Sequence, residues 1–165
     1  MTIEVDVNIA CDKWKDHGDD LETRLGFICR HVFNMLGIDS HEVNIDISIL
    51  LTNDANIQTL NAEYRGKDAP TNVLSFPCDE LGQGNLMAMA DEIICVSLGD
   101  IVLSVETIEK QAKEQKKSFE HHVAHLVVHG LLHLLGYDHE EDGEAKMMEE
   151  LEVDILARMG VGNPY

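Results

Sequence analysis

Between Thr2 and Ala10 apolar and polar residues alternate, with Ile3, Val5, Val7 and Ile9 on one side. A period of two predicts a half-buried strand. The period becomes helical from about Asp19 to Leu36, where Leu21, Leu25, Ile28, Cys29, Val32 and Leu36 recur at three or four residues and Gly37 is a natural stop. Alternation returns through Val43, Ile45, Ile47 and Ile49, a second strand. "NDANIQTLNAEYRG" begins on an Asx residue, carries Ile57, Leu60 and Tyr64 on one face and stops at Gly66, which predicts a short helix. Pro70 and Pro77 bracket "TNVLSF" and leave room only for a short extended piece. "LGQGNLMAMADE" predicts a loop, and "EIICVSLGDIVLSV" holds two apolar runs split at Leu98-Gly99-Asp100, either one bent strand or two. A long helical region follows from about Glu106 to Leu135 and admits a break near Lys117–Ser118. After a turn at "GYDHEED", the last helix turns Met148, Leu151, Ile155 and Met159 inward. Neither repeat nor linker interrupts the chain, so residues 1–165 are expected to form a single domain. Strands mixed with helices indicate α+β or α/β around one small sheet.

Composition narrows the class. Hydrophobic residues make up 44% of the chain, an ordinary globular share. No apolar run approaches the ~20 residues of a membrane span. The acidic, alternating start does not read as a signal peptide, so a cytoplasmic location without a membrane partner is expected. Cys11, Cys29, Cys78 and Cys95 form no C-x-x-C pair and are expected as buried free thiols. Twelve basic against 31 acidic side chains give a formal net charge of −19, which by itself argues against a nucleic-acid binder. Local positive charge survives in "YRGKD", with Arg65 and Lys67, and in "EKQAKEQKK", with lysines at 110, 113, 116 and 117. Such a lysine run is more often a solvated helix face than a binding track.

Candidate chemistry lies in "VVHGLLHLLGYDHEED", Val127 to Asp142, where an apolar pattern is broken by His129, His133 and His139. Residues four apart lie about one turn up the same helix face, so His129 and His133 aim at one point. Gly136 then ends the helix, and a turn through Tyr137 and Asp138 brings His139 within reach of that point. Three neutral imidazoles suit one Zn²⁺ per chain, with Zn–N bonds of about 2.0–2.1 Å. The fourth position stays open to water, whose pKa the ion lowers to about 7. Two helical histidines alone could be hydrogen-bonded core residues; the third makes a metal site the better reading. The metallopeptidase pattern H-E-x-x-H carries its general base directly after the first histidine. Here that position is Gly130, so this is a zincin-like metal helix without its glutamate, which counts against a peptidase. His125, one turn earlier, drifts by about 40° around the helix and is expected beside the metal in a structural role. His121 and His122 are expected at the surface. Asp138 is equally well read as a hydrogen-bond partner of a ligand imidazole or as a turn residue.

"HGLLHLLGYDH" resembles the H-G-x-L-H-L-x-G-Y-D-H signature of the YbeY family, bacterial single-domain metal-dependent endoribonucleases of ribosomal RNA maturation. "LNAEYRGKDAPTNVLSFP", Leu60 to Pro77, and "LGDIVLS", Leu98 to Ser104, are similar to further family segments in the same order. The resemblance implies an α+β domain, a small mixed sheet packed with helices and a metal helix lying across a cleft. It implies zinc-dependent cleavage of single-stranded RNA in small-subunit rRNA maturation and ribosome quality control. His129, His133 and His139 match the family's zinc ligands, and Arg65 matches its functionally important arginine. Arg65 and His129 are then the catalytic candidates, with Arg65 gripping a phosphate and stabilising developing charge. Lys67 and Lys113 would extend the RNA contact. The implied partners are single-stranded RNA, rRNA and small ribosomal subunit proteins or assembly GTPases. Two rival readings are a non-catalytic ribosome assembly factor stabilised by zinc and a zinc hydrolase of another substrate.

Overall fold

The computed structural model describes residues 2–38, 44–78, 95–138 and 140–165. His139, the 79–94 stretch with its expected loop, and Val43 lie outside the described residues. The elements are β1 (Thr2–Ile9), a 3-10 helix (Asp12–His17), α1 (Leu21–Met35), β2 (Asn44–Thr52), α2 (Asp54–Arg65), β3 (Val73–Pro77), β4 (Cys95–Ser104), α3 (Val105–Glu114), α4 (Phe119–Leu134) and α5 (Asp142–Arg158). The sheet order is β1-β2-β4-β3, with β1, β2 and β4 parallel and β3 antiparallel to β4. This mixed sheet with packed helices is the expected α+β class. No helix among the described residues is long and apolar enough to cross a membrane.

Alternation along the strands divides the core between two faces of the sheet. Ile45, Ile47, Ile49, Leu51, Ile101 and Leu103 belong to the main core with α1, α4 and α5. Leu74 and Val102 meet Ile57 of α2 on the other face. The "EIICVSLGDIVLSV" ambiguity resolves, over its described part, into one bent strand. Asp46 pairs with Ser97 and Ile47 with Gly99, so Leu98 is an extra residue, a β-bulge. Gly99 has φ of 128°, and a Cβ there would stand 2.1 Å from the Phe76 carbonyl oxygen. Only glycine lets β3 approach β4 this closely.

The long helical region breaks where expected. Lys116 adopts φ of 54°, and the Ser118 hydroxyl accepts the His121 backbone N–H at 3.1 Å, capping α4. Ten of the sixteen α4 residues are buried, which fits a helix enclosed on several sides. Where α4 crosses the sheet it presents Gly130. A Cβ there would lie 3.1 Å from Ser75 Oγ and 3.3 Å from Ile101 Cγ2, and Ser75 Oγ donates to the Gly130 carbonyl at 3.3 Å. The residue that lacks a peptidase's carboxylate is thus a contact point with no space for one.

Several expectations are corrected. His122 is buried, not at the surface, because its Nε2 meets Gln111 Oε1 at 2.8 Å across the α3–α4 junction; His121 is exposed. Burial pushes the Cys29 thiol up to about 12, but Cys11 is half-buried and Cys78 is exposed. The Cys95 side chain is outside the described residues. The 3-10 helix was not anticipated; it carries Trp14, whose indole N–H donates to the Thr52 carbonyl at 2.8 Å. On α5 the buried residues are Met148, Glu152, Ile155 and Leu156, while Leu151 and Met159 are half-buried.

Candidate functional site

The fold brings α4 against β3 and the end of α2, and a cleft of about 1010 Å³ opens between them. Its walls include Arg65, Lys67, His129, His133 and Asp138. Exposed Cys78 also lines it, with Sγ 3.7 Å from Ser97 Oγ. The Gly136 turn is a helix terminator built as a Schellman motif: Tyr137 N–H donates to the Leu132 carbonyl and Gly136 N–H to the His133 carbonyl, both at 3.0 Å. With Gly136 at φ of 93°, the helix is brought to its end within three residues of the second histidine.

The four-residue spacing does what the sequence suggests for the first pair. His129 Nε2 and His133 Nε2 stand 3.1 Å apart, with ring planes at 79°. Two nitrogens bound tetrahedrally at about 2.0–2.1 Å would be roughly 3.3 Å apart, so this pair fits a zinc-sized ion with little movement. Arg65 projects from the last turn of α2, donates from Nη2 to the Ser75 carbonyl at 2.7 Å, and lies over the Phe76 ring at 5.8 Å. A guanidinium has five N–H donors, so this one anchor among the described residues leaves most of them for a ligand in the cleft. Lys67 shares the cleft, whereas Lys113 is exposed on α3 and does not line it.

Behind the histidines lies a group that sequence reasoning missed. Glu152 of α5 is fully buried, and its Oε1 is 2.5 Å from His129 Nδ1. Its Oε2 accepts from the Tyr165 hydroxyl and lies 3.6 Å from His125 Nε2. Burial alone would raise this carboxyl, but nearby His125 and the hydrogen bonds from His129 and Tyr165 outweigh it and hold the group at about 2. The same pairing, after burial itself, drives the Tyr165 hydroxyl far above its ordinary value. His125 is mostly buried, and neither ring nitrogen has a hydrogen-bond partner among the described residues. His125, His129 and Glu152 bring one ligand atom each to within 4.8 Å of one another, so they too could hold a metal ion. His129 belongs to both groupings, Nδ1 facing Glu152 and Nε2 facing His133.

Comparison with known proteins gives the site its relatives. A family model described as Endoribonuclease YbeY matches residues 8–160. "Endoribonuclease YbeY" of a Bradyrhizobium species is 44% identical over 161 residues, covering 97% of this chain and 90% of its own. The protein of that name from Paramagnetospirillum magneticum is 41% identical over 165 residues, covering 100% and 97%. Among solved structures, the solution structure of TM1509 from Thermotoga maritima matches with a TM-score of 0.57 at 26% identity, covering 94% of this chain and 87% of that one. With a match running through every element from β1 to α5, the chain belongs to the YbeY family.

Proposed function

We propose that this chain, as one domain over residues 1–165, is a zinc-dependent endoribonuclease specific for single strands, acting in small-subunit rRNA maturation and ribosome quality control. The observation that carries the reading is a shared cleft: the Nε2 atoms of His129 and His133 meet at 3.1 Å opposite Arg65 and Lys67. The names of the relatives support RNA as the substrate class. In this reading His129, His133 and His139 hold the ion. A bound zinc supplies Lewis acidity at a phosphoryl oxygen and lowers the pKa of a water. Arg65 binds the scissile phosphate through its planar donors and stabilises charge as it develops. Its bond to the Ser75 carbonyl fixes the guanidinium before RNA arrives. Lys67 holds a neighbouring phosphate, and Lys113 a more distant one. Single-stranded rRNA is then the substrate. Small ribosomal subunit proteins or assembly GTPases would deliver it in the cytoplasm.

A second reading draws on the buried trio of His125, His129 and Glu152, which joins α4 to α5. A metal there would hold the C-terminal helix in place, as in a non-catalytic assembly factor. The 2.5 Å separation of His129 Nδ1 and Glu152 Oε1 is a hydrogen-bond length, too short for both atoms to flank a metal at about 2 Å each in tetrahedral geometry. The cleft site is therefore preferred. The test uses labelled single-stranded RNA with the full chain, zinc-loaded or stripped by chelator, and with Arg65→Ala. We expect cleavage to need the metal, and Arg65→Ala to lose about 100-fold in rate at unchanged metal content. Equal cleavage by the stripped protein, or full rate and affinity in Arg65→Ala, overturns the assignment.

A further inference from the structure

We propose that Glu152, steadied by the Tyr165 hydroxyl, is a positioning residue that decides which nitrogen of His129 faces the cleft and so sets the site's affinity for its metal. The inference rests on the zinc-site reading above. A fully buried carboxylate is costly unless both oxygens are partnered. Here Oε1 meets His129 Nδ1 at 2.5 Å and Oε2 accepts from Tyr165. An ionised carboxylate is only an acceptor. The hydrogen between them therefore sits on Nδ1, which leaves the Nε2 lone pair toward His133 Nε2 at 3.1 Å. A metal needs that tautomer, and a carboxylate on the far nitrogen also makes the imidazole a stronger donor.

Tyr165 supplies the second restraint. Its ring stands edge-on to His125 at 5.6 Å, and its hydroxyl occupies the oxygen that His129 does not use. His125 is 3.6 Å from that oxygen, too far to orient it by a hydrogen bond. Rotation of the carboxylate away from His129 would break both contacts at once. The metal-facing nitrogen is thus governed from α5 and from the segment after it, not from α4 itself.

The test measures zinc affinity by competition with a chromophoric chelator, using the full chain and its Glu152→Gln, Glu152→Leu, Tyr165→Phe and His133→Ala variants. Nitrogen-15 spectra of the metal-free protein report the His129 tautomer, which a purely structural residue would not move. We expect the Nδ1–H form in the wild type and a mixture in Glu152→Leu. Zinc affinity should fall about tenfold in Glu152→Gln and approach 100-fold in Glu152→Leu, with a smaller loss in Tyr165→Phe. Tyr165→Phe keeps the ring and tests the idea even if Glu152→Leu fails to fold. Should wild type bind, His133→Ala not bind, and Glu152→Gln and Tyr165→Phe match wild type, the positioning role is wrong and the zinc site stands. Should His133→Ala bind zinc as tightly as wild type, the cleft site itself falls, and this inference with it.

Discussion

Replacing Gly130 by alanine sets two local effects against each other, and the structure gives the size of each. In a helix interior the change gains about 0.4–1 kcal/mol from backbone entropy and propensity. Against this, the new Cβ would stand 3.1 Å from Ser75 Oγ and 3.3 and 3.4 Å from two carbons of Ile101. These are inside the roughly 3.5–4.0 Å at which carbon contacts are best, so α4 and the sheet must part by a few tenths of an ångström. The Ser75–Gly130 hydrogen bond is already 3.3 Å and has little stretch left; losing it costs about 0.5–1.5 kcal/mol. Overpacking a tight site costs about 1–3 kcal/mol. The net is a destabilisation on the order of 1 kcal/mol, read as a lower urea midpoint. Gly143, in the first turn of α5 and with nothing among the described residues within 4 Å of its Cβ position, is the internal control: Gly143→Ala should be stabilising by about 0.5 kcal/mol. Activity should suffer more than stability. Gly130 lies between His129 and His133, while Arg65 is tied to β3 through the Ser75 carbonyl. Parting α4 from β3 thus separates the histidines from the arginine. About a tenfold loss in RNA cleavage is expected, since displacements of about 1 Å can cost 100-fold. If Gly130→Ala is as stabilising as Gly143→Ala and cleaves at the wild-type rate, the close-approach argument is refuted.

Two further outcomes follow from the same geometry. Burial first, then the charges of Lys117 and His125, hold His122 down to about 4 from 6.5, so the unfolded chain takes up a proton that the folded one refuses. His122 therefore contributes stability above pH 6.5 that is lost as pH falls toward 4, on the order of 3 kcal/mol at most. Urea midpoints of metal-free protein between pH 7.5 and 5 should fall less steeply in His122→Gln, and an unchanged slope would exclude burial of a neutral ring. Zinc at 100 times its dissociation constant should stabilise the folded state by about 2.7 kcal/mol, raising the melting temperature by roughly 5–10 °C. His133→Ala should show little of that rise, and an equal rise in differential scanning fluorimetry would place the ion elsewhere.

What the sequence reveals and what it hides divide along a physical line. Periods of two and 3.6 report which face of an element is buried, and they carried β1, α1, β2, α2 and the paired histidines of α4 because each depends on neighbours within a turn or two. The bend at Leu98 stayed ambiguous because it is decided by β2 and β3, whose pairing no local pattern contains. Glu152 was invisible for a related reason. On α5 the apolar spacing Met148, Leu151, Ile155, Met159 is a valid helical face, yet the buried set is Met148, Glu152, Ile155 and Leu156. Residue type pulled the inferred face away from the acid, since an isolated buried carboxylate is prohibitive. It is not isolated: His129, 23 residues earlier, supplies its partner. His122 repeats the lesson, since a histidine beside polar neighbours reads as surface until Gln111 is seen to satisfy it. Gly130 runs the other way. Its chemical meaning, the absence of a peptidase base, was plain in the sequence, while its mechanical reason, contact with Ser75 and Ile101, needed the fold. A polar residue on an apolar helical face is therefore best treated as half of a pair whose other half must be found. In this chain that search would start from the histidines of α4, the only imidazole-rich helix among the described residues, and it would end at Glu152.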